Sequence, residues 1–467
     1  MLFSSITFLY MFLPIVLVLY FITPRKFKNY VLLLSSLVFY FFGEPVYVLL
    51  LVFSSLSDYI HSLIIEKTRG TKKAKIALIS SIIINLGLLG FFKYADFFIG
   101  SVNSLLGASI PLVNVPLPIG ISFFTFQTMS YTIDVYRGKA HAEKNLATLA
   151  TFVCLFPQLI AGPIVRYTDI SAELHERRTT MDDLYLGVRR FVVGLGKKVL
   201  IANAMGELCA IFRDSTDKSV AFFWLYAIAF TLQIYFDFSG YSDMAIGLGH
   251  MFGFKFPENF DYPFTARSIT EFWRRWHMTL GGWFRDYLYI PLGGNKVAKW
   301  KWYRNIAIVW ICTGLWHGAA WNFVIWGGMF GVLLILEKRY ILKFLDKTGK
   351  AFPHIYLMLI IILSFVVFNA DGLSGVVYDF AGLFGAGGFP AWSFETGYYL
   401  KSYAVLIALA IIGSTPLIKS LWAKITATRL GQKAALVLEP LAIAALLACV
   451  TAYLVDGSFN PFLYFRF

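Results

Sequence analysis

His317 lies in the apolar sequence TGLWHGAAW (residues 313–321), where an ionisable side chain is unexpected. Such a residue in apolar surroundings is costly, and it is therefore a functional candidate by default. Burial favours the neutral imidazole, which can accept a proton from a hydroxyl group as a general base. Gly314, Gly318 and Ala319 leave room for a substrate beside the ring. A histidine that only packs between helices and bonds to a carbonyl group explains the residues equally well.

A second group of chemically capable side chains lies in residues 268–295, where aromatic residues alternate with cations. Arg274, Arg275 and His277 belong to this group. The pattern is typical of an amphipathic segment at a membrane interface, and arginines there can clamp phosphate oxygens. A belt of cations facing lipid headgroups is the alternative. Because the segment is amphipathic, we expect His277 to be less buried than His317 and to have a supporting role.

Four further polar residues lie in apolar segments. We interpret Asp237 and Asp243 as structural partners of arginines or of backbone donors, and Asp58 and His61 as packing residues. The four cysteines are scattered singly, and their spacing predicts no metal site. The sequence also lacks the short motifs of nucleotide hydrolases, zinc proteases and nucleophile-elbow hydrolases.

The composition predicts which elements position these residues. The chain is 58% hydrophobic and only 15% charged, whereas soluble proteins are about 25% charged. Apolar runs of roughly 17 to 25 residues recur along the 467-residue chain, each long enough to cross a bilayer as a helix. We therefore predict an all-α, polytopic integral membrane bundle of about 10 to 12 spans, with additional re-entrant and in-plane helices.

The topology of such a bundle accounts for the net charge of +14. Basic residues collect in cytoplasmic loops, so the charge does not indicate a nucleic-acid partner. Residues 3–22 form the first predicted span, and the basic segments 25–28 and 66–75 are assigned to the cytoplasm. The uncharged loop 99–118 and the loop 370–400, which lacks lysine and arginine, are assigned to the outside. This arrangement predicts that the N-terminus is also outside.

In the central region, the charged segments do not assign the loops to alternating sides of the membrane so simply. Three mainly apolar stretches, 146–165, 187–212 and 220–238, lie between two basic regions. Because an odd number of crossings cannot return to the same side, one stretch must be re-entrant or in-plane, unless residues 240–254 cross as well. The charge pattern leaves these alternatives open.

Residues 305–336 contain no charged side chain, but basic residues flank both ends. One straight helix would place one basic end outside, against the charge bias. Two short helices that meet near residues 314–320 would return both ends to the cytoplasm, and glycine tolerates such a break. The sequence therefore predicts a helical hairpin with His317 deep in the membrane.

Eight ordered motifs extend over nearly the whole chain: PIGISFFTFQ (118–127), FPQLIAGPIVR (156–166), FDFSGYSDMAIG (236–247), PEN (257–259), EFWRRWH (271–277), RDYLYIPLGGN (285–295), GLWHG (314–318) and NPFLYFRF (460–467). Together they closely resemble the membrane-bound O-acyltransferase family, and within it the bacterial alginate O-acetyltransferase branch. So many motifs in one order make a chance match improbable.

The resemblance implies a single transmembrane domain over residues 1–467, with a motif-rich core at 118–337, N-terminal spans in 3–98 and C-terminal spans in 355–455. It also implies a central tunnel to His317 as the catalytic histidine, with His277 as the second active-site histidine. The residues that we expect to contact the substrates are Arg267, Arg274, Arg275, Trp276, Trp316 and Asn322.

The implied function is O-acetylation of an extracellular or periplasmic polysaccharide by a bacterial inner-membrane enzyme. Acetyl-CoA would enter from the cytoplasm as the donor, without a bound cofactor, and His277 would position the thioester or polarise its carbonyl group. His317 would activate the acceptor hydroxyl, which belongs either to the sugar or to a serine of a partner acetylase outside the cell.

Three alternatives compete with this function. Two stay within the family: O-acetylation of peptidoglycan, and transfer of D-alanine to teichoic acid. The apolar stretches after Arg339 favour the longer acetyltransferase branch over the D-alanine branch. The third alternative is a transporter or flippase in which His317 and the two aspartates line a permeation path. The lack of inverted similarity between the two halves of the chain disfavours it.

Overall fold

The computed structural model describes residues 1–457, and this part of the chain is helical without a β-strand. The motif NPFLYFRF at 460–467 lies outside the described residues. Six helical segments in the described part are long and apolar enough to cross a membrane: Val48–Lys67, Lys72–Leu106, Val220–Met251, Ala351–Asn369, Phe394–Gly413 and Arg429–Val455. The prediction of a polytopic, all-helical membrane protein is therefore confirmed.

The chain forms two compact units, of which the first contains residues 1–191 and 242–258. The helices that begin in it are α1 Leu13–Ile22, α2 Lys28–Phe41, α3 Val48–Lys67, α4 Lys72–Leu89, α5 Ala95–Leu106, α6 Ile121–Tyr136, α7 Leu146–Cys154, α8 Phe156–Leu159, α9 Tyr167–His175 and α10 Met181–Gly196. A π-helical segment, Gly90–Tyr94, joins α4 to α5.

A buried polar seam connects α3, α4 and α6 in this unit. The carboxylate of Asp58 accepts hydrogen bonds from the Ser81 hydroxyl at 2.6 Å and from Nδ2 of Asn85 at 2.9 Å. Thr128 donates in turn to Oδ1 of Asn85 at 3.0 Å. Such bonds between helices satisfy polar groups that lipid cannot solvate. In the structure, Asp58 and His61, which bonds to the Ser57 carbonyl, serve as packing residues.

The second unit contains residues 192–241 and the chain from residue 259 onward. Its helices, including α12, which extends into the first unit, are α11 Asn203–Asp214, α12 Val220–Met251, α13 Ile269–Arg275, α14 Met278–Phe284, α15 Lys299–His317, α16 Trp321–Leu336, α17 Leu342–Leu345, α18 Ala351–Asn369, α19 Gly372–Leu383, α20 Phe394–Gly413, α21 Leu417–Thr426 and α22 Arg429–Val455.

The structure shows how the central region is divided into helices. The stretch 146–165 is divided between α7 and α8, of 9 and 4 residues, which are too short to cross a bilayer that needs about 20 residues. The stretch 240–254 is not a separate helix, because α12 is one helix of 32 residues that ends within it, at Met251. The stretch 187–212 lies in α10 and α11, which the π-helical segment Lys197–Ala202 joins.

The predicted hairpin is present as α15 and α16, which pack against each other and break at residues 318–320. Glycine is required at this crossing. A Cβ atom at Gly314 would lie 2.3 Å from the carbonyl oxygen of Phe323, and one at Gly318 would lie 2.1 Å from the Phe323 ring. The close approach of the two helices therefore fixes the end of α15, where His317 lies.

Candidate active site

His317 is the last residue of α15, and the chain continues from it into the extended Gly318. Its side chain is 5% exposed. Three aromatic rings meet the imidazole edge to face, with ring centroids at 5.0 Å for Trp316, 5.2 Å for Trp326 and 5.4 Å for Phe368. The end of the helix thus holds the imidazole in a rigid aromatic cage.

His277 lies between α13 and α14 and adopts a left-handed backbone conformation, with φ of 45°. It is 2% exposed, so the prediction that it is less buried than His317 is wrong. The amphipathic pattern holds for α13, but the turn at residue 277 directs the imidazole inward. There the ring of Phe238 covers it, with the centroids 4.6 Å apart.

The ring of Trp316 links the two histidines. Its centroid lies 5.7 Å from that of His277 and 5.0 Å from that of His317. Two imidazoles from different helical segments therefore share one wall of a buried site, which an arrangement for packing alone does not require. The residues that resemble the family's histidine pair are in fact brought together.

Asn259 determines the tautomer of His277. Its Oδ1 accepts from the backbone N–H of Thr279 at 3.3 Å and from the Thr279 hydroxyl at 2.8 Å, which identifies that atom as the oxygen. Nδ1 of His277 lies 3.1 Å from the same oxygen and must therefore donate. In the neutral ring, Nε2 then carries the lone pair, and it has no hydrogen-bond partner within residues 1–457.

Two of the other predicted substrate contacts have structural roles in this arrangement. The amide nitrogen of Asn322 donates to the carbonyl oxygen of Phe368 at 3.1 Å, which ties α16 to the end of α18. Trp276 stacks on Phe272 with a centroid distance of 5.4 Å and lies in the aromatic core of the second unit. Trp316 is the predicted contact that the structure places beside the histidines.

The three predicted arginines differ in their surroundings. Arg275 forms an ion pair with Glu271 at 2.7 Å and also donates to the Thr265 hydroxyl at 3.2 Å, so its guanidinium is already engaged. The backbone N–H of Arg267 donates to Glu271, while its side chain is exposed. Arg274 is exposed as well, and it is the arginine on α13 best placed to meet an anion from solution.

Lys338, which no sequence pattern singles out, lies close to Arg274. Partial burial and the charge of Arg274 hold the pKa of Lys338 below its usual range. The adjacent Glu337 is buried, and its carboxylate accepts from the backbone N–H groups of Ile269 at 2.6 Å and Thr270 at 2.8 Å. Glu337 therefore fixes the start of α13 beside the end of α16, so that two cations converge.

Both predicted structural aspartates have cationic partners. Oδ1 of Asp243 lies 3.0 Å from the guanidinium of Arg190, which also contacts Glu258 in the first unit. In the second unit, Asp237 pairs with a lysine instead of an arginine: Nζ of Lys198 lies 2.6 Å away, and both side chains are buried. Lys198 reaches this position from the π-helical segment between α10 and α11.

Sequence reasoning missed Asn259, Trp326 and Phe368 as members of the site. Asn259 belongs to the PEN motif, and its position in that motif is the available signal. Trp326 lies four residues after Asn322, on the same face of α16, so helical spacing could have selected it. Phe368 reaches His317 only through the packing of α18 on α16, and no local pattern signals that contact.

Residues 117–378 match the family model described as MBOAT, membrane-bound O-acyltransferase family. The chain is 41% identical over 392 residues to the probable alginate O-acetylase AlgI of Azotobacter vinelandii, a match that covers 83% of this chain and 79% of the relative. It is 36% identical over 424 residues to the peptidoglycan O-acetyltransferase of Helicobacter pylori, with 83% and 80% covered.

A more distant relative is the teichoic acid D-alanyltransferase of Bacillus subtilis, which is 29% identical over 276 residues. That match covers 55% of this chain and 68% of the relative. Similarity to the two O-acetylating relatives therefore extends over much more of this chain than similarity to the D-alanyltransferase.

Proposed function

Because this chain belongs to the membrane-bound O-acyltransferase family and is an O-acyltransferase, we propose that it transfers an acetyl group from cytoplasmic acetyl-CoA for O-acetylation of a polysaccharide outside the cytoplasm. The observation that carries the proposal is the pair of buried histidines, His317 and His277, which both contact the ring of Trp316. A membrane enzyme with its base between two aqueous compartments can pass on the acetyl group while the CoA carrier stays behind.

His317 is the proposed general base. Its imidazole takes the proton of the acceptor hydroxyl as the oxygen attacks the thioester carbon, and it gives that proton to the departing CoA thiolate. The aromatic cage excludes water from the thioester, which would otherwise be hydrolysed. A general base of this kind contributes about 10² to 10⁴ in rate.

His277 is proposed to position the donor. Because its Nδ1 donates to Asn259, its Nε2 offers a lone pair to the site. A lone pair in a buried site accepts from an N–H group, and the pantetheine arm of CoA carries amide N–H groups near its thioester. Of the two roles expected for His277, this tautomer favours positioning the thioester over polarising its carbonyl group.

Arg274 and Lys338 are proposed to receive the phosphates of CoA. Both are exposed at the surface where α13 meets the end of α16, and their charges lie close enough to influence each other. Two converging cations attract a multiply charged anion more strongly than either cation alone. Arg275, which Glu271 already engages, contributes less to this site than the sequence indicated.

The acceptor is proposed to be an alginate-like polysaccharide, reached directly or through a serine of a partner acetylase. Similarity to the alginate and peptidoglycan O-acetylating relatives over 83% of the chain supports an O-acetylated glycan. D-alanyl transfer to teichoic acid is less favoured, because the corresponding relative matches only 55% of the chain.

The orientation is proposed as N-terminus outside, in the bacterial inner membrane. Reporter fusions would test it: a fusion after Lys72 should be active only with a cytoplasmic reporter, and one after Gly375 only with a periplasmic reporter. The opposite result at both positions would overturn this orientation, because acetyl-CoA would then face the wrong end of α15.

The central experiment is turnover of radiolabelled acetyl-CoA by the purified protein in detergent, in the presence of a polysaccharide acceptor. We expect the wild type to release free CoA and, where transfer to the glycan is direct, to label the glycan, whereas His317→Ala should do neither. His61→Gln is the matched control, since His61 is a histidine of a spanning helix bonded to Ser57 and Ser80. Normal turnover by His317→Ala would refute the proposed base.

Comparing two donors separates acetyl transfer from D-alanyl transfer. The protein is offered acetyl-CoA or a D-alanyl-loaded carrier protein under the same conditions. Transfer from acetyl-CoA alone supports the proposal, and transfer from the carrier alone would assign the chain to the D-alanyl reaction.

A further inference from the structure

Acyl transfer requires a hydrogen-bond donor that the two histidines do not provide. When the hydroxyl oxygen attacks the thioester, negative charge develops on the carbonyl oxygen, and enzymes stabilise this charge with fixed N–H or O–H donors. His277 offers a lone pair at Nε2. The amide of Asn322 already donates to the Phe368 carbonyl. A further buried N–H donor close to His317 is therefore a candidate for this role.

Trp326 has the properties of such a donor. It is 1% exposed, and its ring centroid lies 5.2 Å from that of His317 at an interplanar angle of 85°. Its indole N–H has no acceptor within residues 1–457. Buried tryptophan N–H groups usually find a partner, so a buried, unused donor beside the proposed base requires an explanation.

The packing around Trp326 fixes its ring before substrate arrives. Phe368 and Phe330 each meet it with centroids 5.2 Å away, and Trp273 lies at 5.6 Å. One turn earlier on α16, Asn322 anchors the helix to α18 through the Phe368 carbonyl. The indole is therefore preorganised, which is the condition for strong stabilisation of a developing charge.

We propose that the indole N–H of Trp326 donates a hydrogen bond to the carbonyl oxygen of the acyl thioester, and that this bond strengthens as the oxygen becomes negative. The inference rests on the proposed function, because it presupposes a thioester beside His317. It makes Trp326 a catalytic residue of the reaction.

The reaction balances with Trp326 as a donor only. The hydroxyl oxygen forms a C–O bond to the carbonyl carbon, its proton goes to His317, and the carbonyl oxygen takes the negative charge. When the carbonyl group forms again, the C–S bond breaks, and the CoA thiolate receives the proton from His317. Trp326 neither gains nor loses a proton, which suits a side chain that only donates.

The substitution Trp326→Phe tests this role, because it keeps an aromatic ring in the cage and removes the N–H. We expect kcat to fall by about 10²- to 10³-fold, as for the loss of one oxyanion donor, with a much smaller rise in the KM for acetyl-CoA. Trp224→Phe is the matched control, because it also removes an indole N–H, which here donates to the carbonyl oxygen of Leu383 at 3.0 Å, and its ring packs on Phe384 instead of on the cage around His317. It should keep wild-type kcat.

A binding measurement separates the lost donor from a disturbed cage. S-acetonyl-CoA keeps a carbonyl group in a stable ketone, whereas S-ethyl-CoA has none. Trp326→Phe should bind S-acetonyl-CoA more weakly than the wild type and S-ethyl-CoA equally well. An equal loss for both analogues would show a collapsed cage and overturn the assignment.

Failure of this inference can be told apart from failure of the proposed function. If the wild type turns over acetyl-CoA and Trp326→Phe has the same kcat, the indole donor is refuted while the acetyltransferase remains. If the wild type releases no CoA from acetyl-CoA, acetyl-CoA is not the acyl donor, and the role proposed for Trp326 is refuted as well.

Discussion

Nδ1 of His277 lies 3.1 Å from Oδ1 of Asn259, and the same asparagine accepts through its backbone carbonyl from the N–H of Met278 at 2.9 Å. Asn259 therefore holds the turn between α13 and α14 at two points and determines which nitrogen of the imidazole faces the site. A residue of the PEN motif thus controls the chemistry of a histidine that is distant in the sequence.

Asn259→Ala should lower activity by releasing this imidazole. Without the acceptor, Nδ1 and Nε2 compete for the proton, and Nε2 no longer offers a lone pair in every molecule. The loss of the bond to His277 alone, about 1 to 1.5 kcal/mol, corresponds to roughly a 10-fold fall in kcat/KM. Steady-state release of CoA from acetyl-CoA measures it.

Asn259→Asp is the informative control, because it keeps an acceptor opposite Nδ1. The added carboxylate favours the protonated imidazole, which lacks the lone pair. The acid side of the pH–rate profile should therefore move to higher pH, while activity at alkaline pH approaches that of the wild type. An unchanged profile together with full activity of Asn259→Ala would show that Asn259 only supports the turn.

Lys338 should make the binding of acetyl-CoA depend on pH. Its partial burial and the nearby Arg274 lower its pKa, so it loses its charge at a lower pH than an ordinary lysine. Only the charged form attracts phosphate. The KM for acetyl-CoA should consequently rise as the pH rises through the pKa of Lys338, with little effect on kcat.

Lys338→Arg is the matched variant, because arginine stays charged throughout the accessible pH range. It should abolish the alkaline rise in KM, while Lys338→Gln should show a high KM at every pH. A pH-dependent KM that persists unchanged in Lys338→Gln would place the titrating group elsewhere.

Glu337→Gln should weaken donor binding through the position of α13. The glutamine amide nitrogen cannot accept, so one of the buried donors at the start of α13 loses its partner, at a cost of about 1 to 3 kcal/mol. We expect a lower melting temperature in detergent and a higher KM for acetyl-CoA, because α13 carries Arg274.

Thr270→Val provides a graded comparison. It removes only the hydroxyl bond to Glu337, at 2.6 Å, and leaves both backbone bonds in place. Its effects on melting temperature and KM should be smaller than those of Glu337→Gln. A larger effect from Thr270→Val would mean that the backbone bonds do not position α13.

The sequence predicts those parts of the site that depend on residues close together in the chain. The break before Trp321 follows from glycines and flanking charges that are close in sequence, and both are visible without a structure. The burial of His277 could not be predicted in this way. It depends on a left-handed turn and on rings from Phe238 and Trp316, which belong to other helices.

Among the basic residues too, some contacts can be predicted from the sequence and others cannot. The pairing of Arg275 with Glu271 could have been predicted, because the two residues are four positions apart on one helix. The convergence of Lys338 with Arg274 could not, since it depends on the carboxylate of Glu337 joining the end of α16 to the start of α13. The sequence thus identified the cationic segment but not the cations that are available for binding.

Gly327→Ala should disturb the site by separating the two helices of the hairpin. A Cβ atom there would lie 2.2 Å from the carbonyl oxygen of Trp310 and 3.1 Å from Cα of Gly314, so α15 and α16 must move apart, at a cost of about 1 to 3 kcal/mol. That movement shifts His317 relative to Trp326 and should lower both the melting temperature and kcat.

Gly328→Ala is the neighbouring control, because a Cβ atom there meets nothing within 4 Å, and alanine favours a helix over glycine by about 0.8 to 1 kcal/mol. Equal melting temperatures for the two variants would contradict the close crossing on which the position of His317 depends.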